Sequence, residues 1–331
     1  MSKFKWGILA PGNIAKRFAQ GLASAPNAVA YAVGSRDIGR ARAFAEEFGF
    51  DKAYGSYAEL AADPDVEIIY VATPHPQHEE AAILCMNGKK AVVCEKPFAP
   101  NARQAARMIE CARANGVFLM EAMWTRFLPT ICKTRELIAE GAIGKVLHIN
   151  VDFGFRANVD IKSRLFNPAA AGGSLLDVGV YNASFCSMIY KKPPDWYQSH
   201  LIIGATGVDE SANIIFNYNG GQSAALYSAI RTSTAQDAAI YGEEGYIKLP
   251  SYWHGDTVLL HNKNGAQEFK LPFESTGFQY EASEAMACLE AGLKESPIMP
   301  LDETLEVLKM LDKIRFDNHL RYPFENGEGT I

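Results

Sequence analysis

The 331-residue sequence has no long apolar run: although 48% of its residues are hydrophobic, no segment reaches the roughly 18 uninterrupted apolar residues of a membrane span. Met1-Ser2-Lys3-Phe4-Lys5-Trp6 leads straight into a strand pattern, without the apolar stretch and small-residue cleavage site of a signal peptide. A cytosolic chain with no membrane partner is expected. Basic excess is absent too: 32 Lys and Arg against 38 Asp and Glu leave a formal charge of −6. That balance counts against a dedicated nucleic-acid binder, which needs a concentrated basic surface to neutralise phosphates, and leaves room only for local basic sites. Cysteines are few and scattered: Cys85, Cys94, Cys111, Cys132, Cys186 and Cys288 form no CxxC, so buried reduced thiols are expected rather than disulfides or zinc ligands. No fixed-period repeat and no low-complexity linker interrupts the chain, so its two halves are expected to share a sizeable interface and a cleft.

What is present is enough chain for about two domains at roughly 150 residues each. Over the first 120 residues short apolar runs alternate with amphipathic stretches, the signature of strands crossing through helices in a parallel sheet. Strands are expected at Phe4–Leu9, Val29–Gly34, Lys52–Tyr54, Ile68–Val71, Ala91–Cys94 and Val117–Met120. Ser56 with Glu59 forms a capping box, Asn101 caps a helix ending near Asn115, and Gly49, Gly88 and Gly116 stand where helix ends want a positive φ. After Met123 the pattern changes. A helix near Thr130–Glu140, a strand at Lys145–Phe153 and a helix from Ser174 precede a series of strands with period-two alternation from Leu201 to Leu271, and helices near Phe278–Gly292 and Leu301–Leu320 close the chain. The expected class is α/β: a Rossmann doubly wound parallel sheet in residues 1–123, then an α+β domain with a large, mostly antiparallel sheet in residues 124–331 that binds substrate and oligomerises. A ligand cleft is expected between the two.

The turn Ala10-Pro11-Gly12-Asn13-Ile14-Ala15 follows the first strand and opens the first helix, the setting a dinucleotide fingerprint requires. In GxGxxG/A register Ala10 replaces the first Gly, Gly12 keeps the second and Ala15 takes the third. The middle position matters most, because a Cβ there blocks approach of a pyrophosphate to the helix N-terminus, where free N–H groups and the dipole favour anions. At the tip of the second strand Ser35 and Arg36 point to the 2′-phosphate of NADP. Asp37 leaves NAD as the alternative if it reaches a ribose hydroxyl, and otherwise caps the helix starting at Ile38. The fourth and fifth tips, Thr73-Pro74-His75-Pro76-Gln77-His78 and Glu95-Lys96-Pro97, face the ligand crevice of an open parallel sheet. His75 and His78 lack a third ligand nearby, so a wall of the cofactor site or a cap is expected of them and no metal site.

These motifs, with Gly172-Gly173-Ser174-Leu175-Leu176-Asp177-Val178-Gly179-Val180-Tyr181, resemble the Gfo/Idh/MocA oxidoreductases, in order and over nearly the whole chain. Within that family Met120-Glu121-Ala122-Met123-Trp124-Thr125-Arg126-Phe127 and Tyr181 are most similar to the branch of dimeric dihydrodiol dehydrogenase and glucose-fructose oxidoreductase. Many inositol-type members carry His in place of Tyr181 and Asp in place of Ser184, which counts against an inositol substrate. The resemblance implies hydride transfer between nicotinamide and a carbinol or carbonyl of a sugar, a sugar derivative or a vicinal diol. It places Lys96 by nicotinamide and substrate, makes Tyr181 the proton donor, lets Asp177 complete the cluster and implies a cis Lys96–Pro97 bond. Which of Lys96 and Tyr181 carries the proton stays open.

The chemistry agrees, because hydride transfer needs a group to exchange the hydroxyl proton and a donor or cation for the developing alkoxide. Asp177 and Tyr181, four apart, share a helix face. Trp124 and Arg126 stand where they can cover the nicotinamide, and Phe153, Arg156 and Arg164 stand in or beside the loop expected to face substrate. For each, packing or an ion pair is the plain alternative. Apolar, aromatic strands such as Ile214–Tyr218 and Ala224–Tyr227 suggest a homodimer or higher homo-oligomer through the C-terminal sheet. Two enzymatic alternatives remain, a trans-dihydrodiol dehydrogenase and a sugar–sugar oxidoreductase that retains its cofactor. Outside enzymes, the alternative is a dinucleotide-sensing regulator without turnover.

Overall fold

The computed structural model of the chain describes residues 3–325. Met1 and Ser2, read above as leading into the first strand, and residues 326–331, assigned above to the second domain, lie outside it. Among the described residues two compact units form, residues 3–127 with 274–305 and residues 128–273 with 306–325. The boundary at Met123 is therefore too simple: the segment from Glu274 to Leu305 belongs to the first unit, a return that local sequence pattern does not encode.

The first unit contains β1 (Phe4–Leu9), β2 (Ala28–Gly34), β3 (Lys52–Tyr54), β4 (Ile68–Val71), β5 (Ala91–Glu95) and β6 (Leu119–Ala122) in the order β3-β2-β1-β4-β5-β6. Every neighbouring pair is parallel, which is the doubly wound order with its switch point between β1 and β4. β4 and β5 are buried at every residue, as central strands covered on both faces must be. Between strands run α1 (Asn13–Leu22), α2 (Ile38–Phe48), α3 (Tyr57–Ala62), α4 (His78–Asn87) and α5 (Ala102–Asn115). The caps follow the sequence: Ser56 accepts from Glu59 N, Asn101 from Gln104 N, and Gly49 and Gly116 take φ of 72° and 63°. Gly88 departs from expectation. Its φ is −73°, and Lys89 takes the left-handed conformation instead, at 61°. β6 starts two residues later than the apolar run suggested, because Val117 N is still spent on the end of α5, donating to Ala112 O at 3.1 Å.

In the second unit, after α6 (Pro129–Ala139), the strands are β7 (Val146–Gly154), β8 (Trp196–Ile203), β9 (Asp209–Asn217), β10 (Ser223–Ala229), β11 (Ala238–Gly242), β12 (Gly245–Leu249), β13 (Thr257–Asn262) and β14 (Gly265–Lys270). They make one sheet in the order β14-β13-β12-β11-β7-β10-β9-β8, antiparallel throughout except for the β7–β10 pair. Its inner face buries Ile149, Val151, Ile214, Phe216, Leu226, Ile240 and Ile247. α7 (Val180–Tyr190) packs on β7 and β10 and is entered through a π-wound turn, Leu175–Gly179. α8 (Gln279–Glu290) belongs to the first unit, and α9 (Leu301–Asp317) begins in the first and ends in the second.

Candidate active site

In the first unit the β1–α1 turn presents its backbone. Ala10 adopts φ 71°, the left-handed conformation that a first-position Gly would take freely, and its carbonyl accepts from Gly12 N at 2.8 Å. Gly12 is the N-cap of α1, with no side-chain cap and no acidic residue in the first turn. A Cβ built on Gly12 meets no atom within 4 Å. The fold itself thus has no need of glycine here. The open space, the uncapped N–H groups and the absence of negative charge are the features an anionic pyrophosphate uses, and Asn13 and Ile14 supply two of those N–H groups. Thr73, at the β4 tip, adds a buried hydroxyl with no hydrogen-bond partner among the described residues. These residues fit a dinucleotide.

At the β2 tip Ser35 is buried, and its hydroxyl accepts from Asp37 N at 3.2 Å, while Arg36 is exposed. Asp37 Oδ1 accepts from Arg40 N at 3.0 Å. Of the two readings of Asp37, the cap is the one present.

His78 is fully buried, with Nδ1 3.0 Å from Pro97 O and Nε2 2.8 Å from Thr73 O. Burial pushes its imidazole down to about 4, and the nearby Lys96 charge adds to this, so it is neutral at pH 7. A side chain with no exposed surface cannot wall a cofactor. It sits between the β4 and β5 tips and donates its one N–H to one of these two carbonyls, a correction to the expected contact. His75 is buried beside it, ring to ring at 5.7 Å, and Pro74 is exposed. Among the described residues no group of three or more His, Cys, Asp or Glu could hold a metal.

The Lys96–Pro97 bond is cis. Glu95 is buried, and its carboxylate accepts from the Tyr70 hydroxyl and, at 3.0 Å, from Lys96 N. It therefore holds the backbone of the lysine. Glu121, which sequence reasoning passed over within its motif, accepts from Phe98 N at 3.2 Å and Thr304 Oγ1 at 3.0 Å. Burial pushes its carboxyl up to about 7. Glu281 was also missed. It is fully buried, neither oxygen has a partner among the described residues, and burial followed by the Glu95 charge raises it well above the carboxylate range. No sequence signal separates either acid from a solvated one.

Trp124 is buried and stacks on Phe278 at 4.9 Å, with Arg17 lying over both rings. Arg126 is buried, pairs with Glu303 at 2.6 Å and donates to Ile298 O at 3.1 Å. The ion-pair alternative describes this arginine, whose partners arrive from more than 170 residues away.

The second unit brings together Phe153, Arg164, Asp177 and Tyr181. Asp177 sits in the π-wound turn and accepts from Arg164 Nη2 at 2.9 Å. Tyr181, in the first turn of α7, is 6% exposed, with its ring 5.4 Å from Phe153. Phe153 in turn stacks on Trp253 at 4.8 Å and meets Tyr252 edge-on. Trp253 is fixed by Nε1 donating to Gln236 Oε1 at 2.8 Å, and the Tyr252 hydroxyl donates to Asn182 Oδ1 at 2.7 Å. The two aromatic residues at 252 and 253 were missed because they stand in a loop about 100 residues from Phe153, with no periodicity to mark them. Arg156 does not join Asp177. It is exposed and bridges backbone to backbone with Arg231.

An open parallel sheet with an uncapped glycine turn at its first helix defines a dinucleotide-binding protein, and the comparisons sharpen the class. Residues 4–123 match the model for an oxidoreductase family with an NAD-binding Rossmann fold, and residues 131–248 match the Gfo/Idh/MocA C-terminal domain. The chain is 37% identical over 322 residues to the trans-1,2-dihydrobenzene-1,2-diol dehydrogenase of Mus musculus, covering 94% of this chain and 96% of that one. It is 36% identical over 326 residues to the Homo sapiens protein of the same name, with the same coverage. Among solved structures it is similar to the aldose-aldose oxidoreductase from Caulobacter crescentus complexed with glycerol, at TM-score 0.87 and 22% identity over 96% of this chain and 98% of that one. A levoglucosan dehydrogenase in complex with NADH and levoglucosan gives TM-score 0.88 at 18% identity, again over 96% and 98%. The chain belongs to the Gfo/Idh/MocA family, as its motifs suggested, and is an NAD(P)-dependent oxidoreductase.

Proposed function

We propose that the protein is an NADP-dependent dehydrogenase that moves a hydride between nicotinamide and a carbinol or carbonyl carbon of a vicinal diol, sugar or sugar derivative. The observation that carries this reading is the stacked pair of Phe153 and the half-buried Trp253 beside Tyr181 and the Arg164–Asp177 pair. Flat apolar faces next to a hydroxyl and a charge pair suit a ring bearing adjacent hydroxyls. The relatives' name, trans-1,2-dihydrobenzene-1,2-diol dehydrogenase, describes such a substrate. NADP is favoured over NAD because Asp37 is spent as a helix cap, which leaves Ser35 and Arg36 at the strand tip.

In this reading the Gly12 turn, with the N–H groups of Asn13 and Ile14, holds the pyrophosphate, and Arg36 and Ser35 hold the 2′-phosphate. Thr73, Pro74 and the Glu95–Pro97 segment line the nicotinamide end. When bound, the coenzyme supplies the hydride acceptor or donor. The chain's own residues handle the proton: the Tyr181 hydroxyl donates to or accepts from the substrate oxygen, and the Lys96 ammonium stabilises the alkoxide. Asp177, oriented by Arg164, binds a substrate hydroxyl. Because Lys96 and Tyr181 belong to different units, their joint action rests on the family resemblance.

The test is initial-rate oxidation of trans-1,2-dihydrobenzene-1,2-diol and of an aldose panel, each with NADP+ and NAD+. Diol turnover with NADP+ preferred is expected, and binding of NADPH without turnover of any diol or sugar would overturn the reading. Lys96→Ala should cut kcat by about a hundredfold or more while NADPH affinity holds within about threefold.

We also infer a homodimer through the outer face of the second unit's sheet, in a cytosolic protein with reduced cysteines. Of the strands expected to be sticky, Ile214, Phe216, Leu226 and Tyr218 turn inward, and what faces out is Ile215, Ala225 and Tyr227. Trp196, Ile202, Tyr241 and Tyr246 extend this exposed apolar surface, and a second copy laid on it covers an otherwise open sheet.

A further inference from the structure

The Gly172–Ser174 turn, which leads directly into the segment bearing Asp177 and Tyr181, is gripped by buried groups from two distant parts of the chain. From β9, Asp209 Oδ2 accepts from Ser174 Oγ and from Leu175 N, both at 2.7 Å. Asp209 Oδ1 lies where a Cβ on Gly173 would approach to 2.1 Å, and Gly173 has φ 121°, so only glycine fits. From the chain's end, the Tyr322 hydroxyl donates to Gly172 O at 3.0 Å across 150 residues of sequence.

Tyr322 is itself braced. Its backbone N donates to Glu325 Oε2 at 2.8 Å, and its ring lies under the Arg315 guanidinium at 4.6 Å. Arg315, fully buried, forks onto Glu325 at 2.8 and 2.9 Å and reaches Asp312 at 2.6 Å. A buried ion pair is a weak source of stability compared with apolar packing of equal volume, and its better attested use is to specify one arrangement. The arrangement specified here is that of the turn. A Cβ on Gly172 would sit 2.5 Å from Arg164 O, so the turn is pressed against the backbone of the arginine that pairs with Asp177. Any shift of Gly172 is passed to Arg164 and to the helix start together.

We infer that Tyr322, locked by Arg315 and Glu325, is a positioning residue for hydride transfer, setting Asp177 and Tyr181 through its hydrogen bond to the Gly172 carbonyl. The inference rests on the proposed roles of Asp177 and Tyr181. Tyr322→Phe removes the hydroxyl and keeps the ring under Arg315, so the fold should persist. With trans-1,2-dihydrobenzene-1,2-diol and NADP+, kcat should fall about tenfold while NADPH affinity is unchanged, the scale of a small misplacement of reacting groups. Amide hydrogen exchange over Leu175–Tyr181 should quicken about tenfold without coenzyme or substrate. In a Tyr181→Phe background the kcat penalty should shrink below about twofold, which a purely structural role would not produce. Unchanged exchange in Tyr322→Phe overturns the inference whatever the activity, and so does an unchanged kcat, with Tyr181→Phe and Asp177→Asn still impaired. If those two variants keep full kcat, the site reading fails and the inference falls with it. Should Tyr322→Phe not fold, Glu325→Gln, which loosens the brace and leaves the tyrosine, must show the same faster exchange.

Discussion

Replacing Gly12 by alanine separates what the fold needs from what the nucleotide needs. The new methyl meets no protein atom within 4 Å, and the residue's φ of −99° and ψ of −169° are open to any amino acid. Alanine is a poorer N-cap than glycine by about 0.5–1 kcal/mol, and it recovers about as much by restricting the unfolded chain. The net change in stability should stay within about 0.5 kcal/mol, a shift of roughly 2 °C or less in thermal midpoint. Coenzyme binding should suffer far more. The methyl holds the pyrophosphate away from the α1 N-terminus, costing charge-assisted hydrogen bonds worth about 1.5–3 kcal/mol, which is roughly a 10- to 100-fold rise in Kd. NADPH fluorescence titration and a thermal melt on the same sample read both numbers. An unchanged Kd would refute the placement of the pyrophosphate, and a large fall in melting temperature would refute the claim that the glycine serves only the ligand.

Glu121→Gln should change how stability depends on pH. Folding lifts this carboxyl to about 7, above its ordinary 4.5, so the folded state binds the proton more tightly and stability is lost as pH rises between those values. The variant lacks that loss and should gain about 3 kcal/mol relative to wild type from pH 4.5 to 7. Urea denaturation at several pH values measures it, and a flat difference would show that Glu121 is ionised in the fold. Arg36→Asp should weaken NADP+ by roughly 10- to 100-fold and improve NAD+, and equal loss of both coenzymes would remove Arg36 from the 2′-phosphate. Ile215→Arg, on the outer sheet face, should give a folded monomer by light scattering, with a somewhat lower thermal midpoint once the second copy is lost, and a persistent dimer would place the interface elsewhere.

Short-range signals in the sequence were read well because their causes are short-range. Ala91–Glu95 is a strand because a buried central position tolerates an apolar run, and Ser56, Asn101 and Gly116 terminate helices through atoms only a few residues away. Asp37 was legible to within two choices, because a cap and a ribose ligand ask for the same acid at the same place. The motif residues of the candidate site, from Gly12 to Tyr181, were named from the chain alone, and so was the family. Their physical roles were not. That His78 joins two strand tips, that Arg126 is taken by Glu303, and that Trp253 stacks on Phe153 depend on partners that adjacency in space supplies and local sequence pattern conceals. Burial made the same kind of decision for Glu121 and Glu281: a carboxyl reads the same in sequence whether it faces water or a core, and only the surrounding dielectric and partners decide its charge. The sequence thus determined which elements form and which family the chain belongs to. The tertiary structure decided what those side chains touch, because the partners of His78 and Arg126 lie on other elements, up to 177 residues away for Arg126.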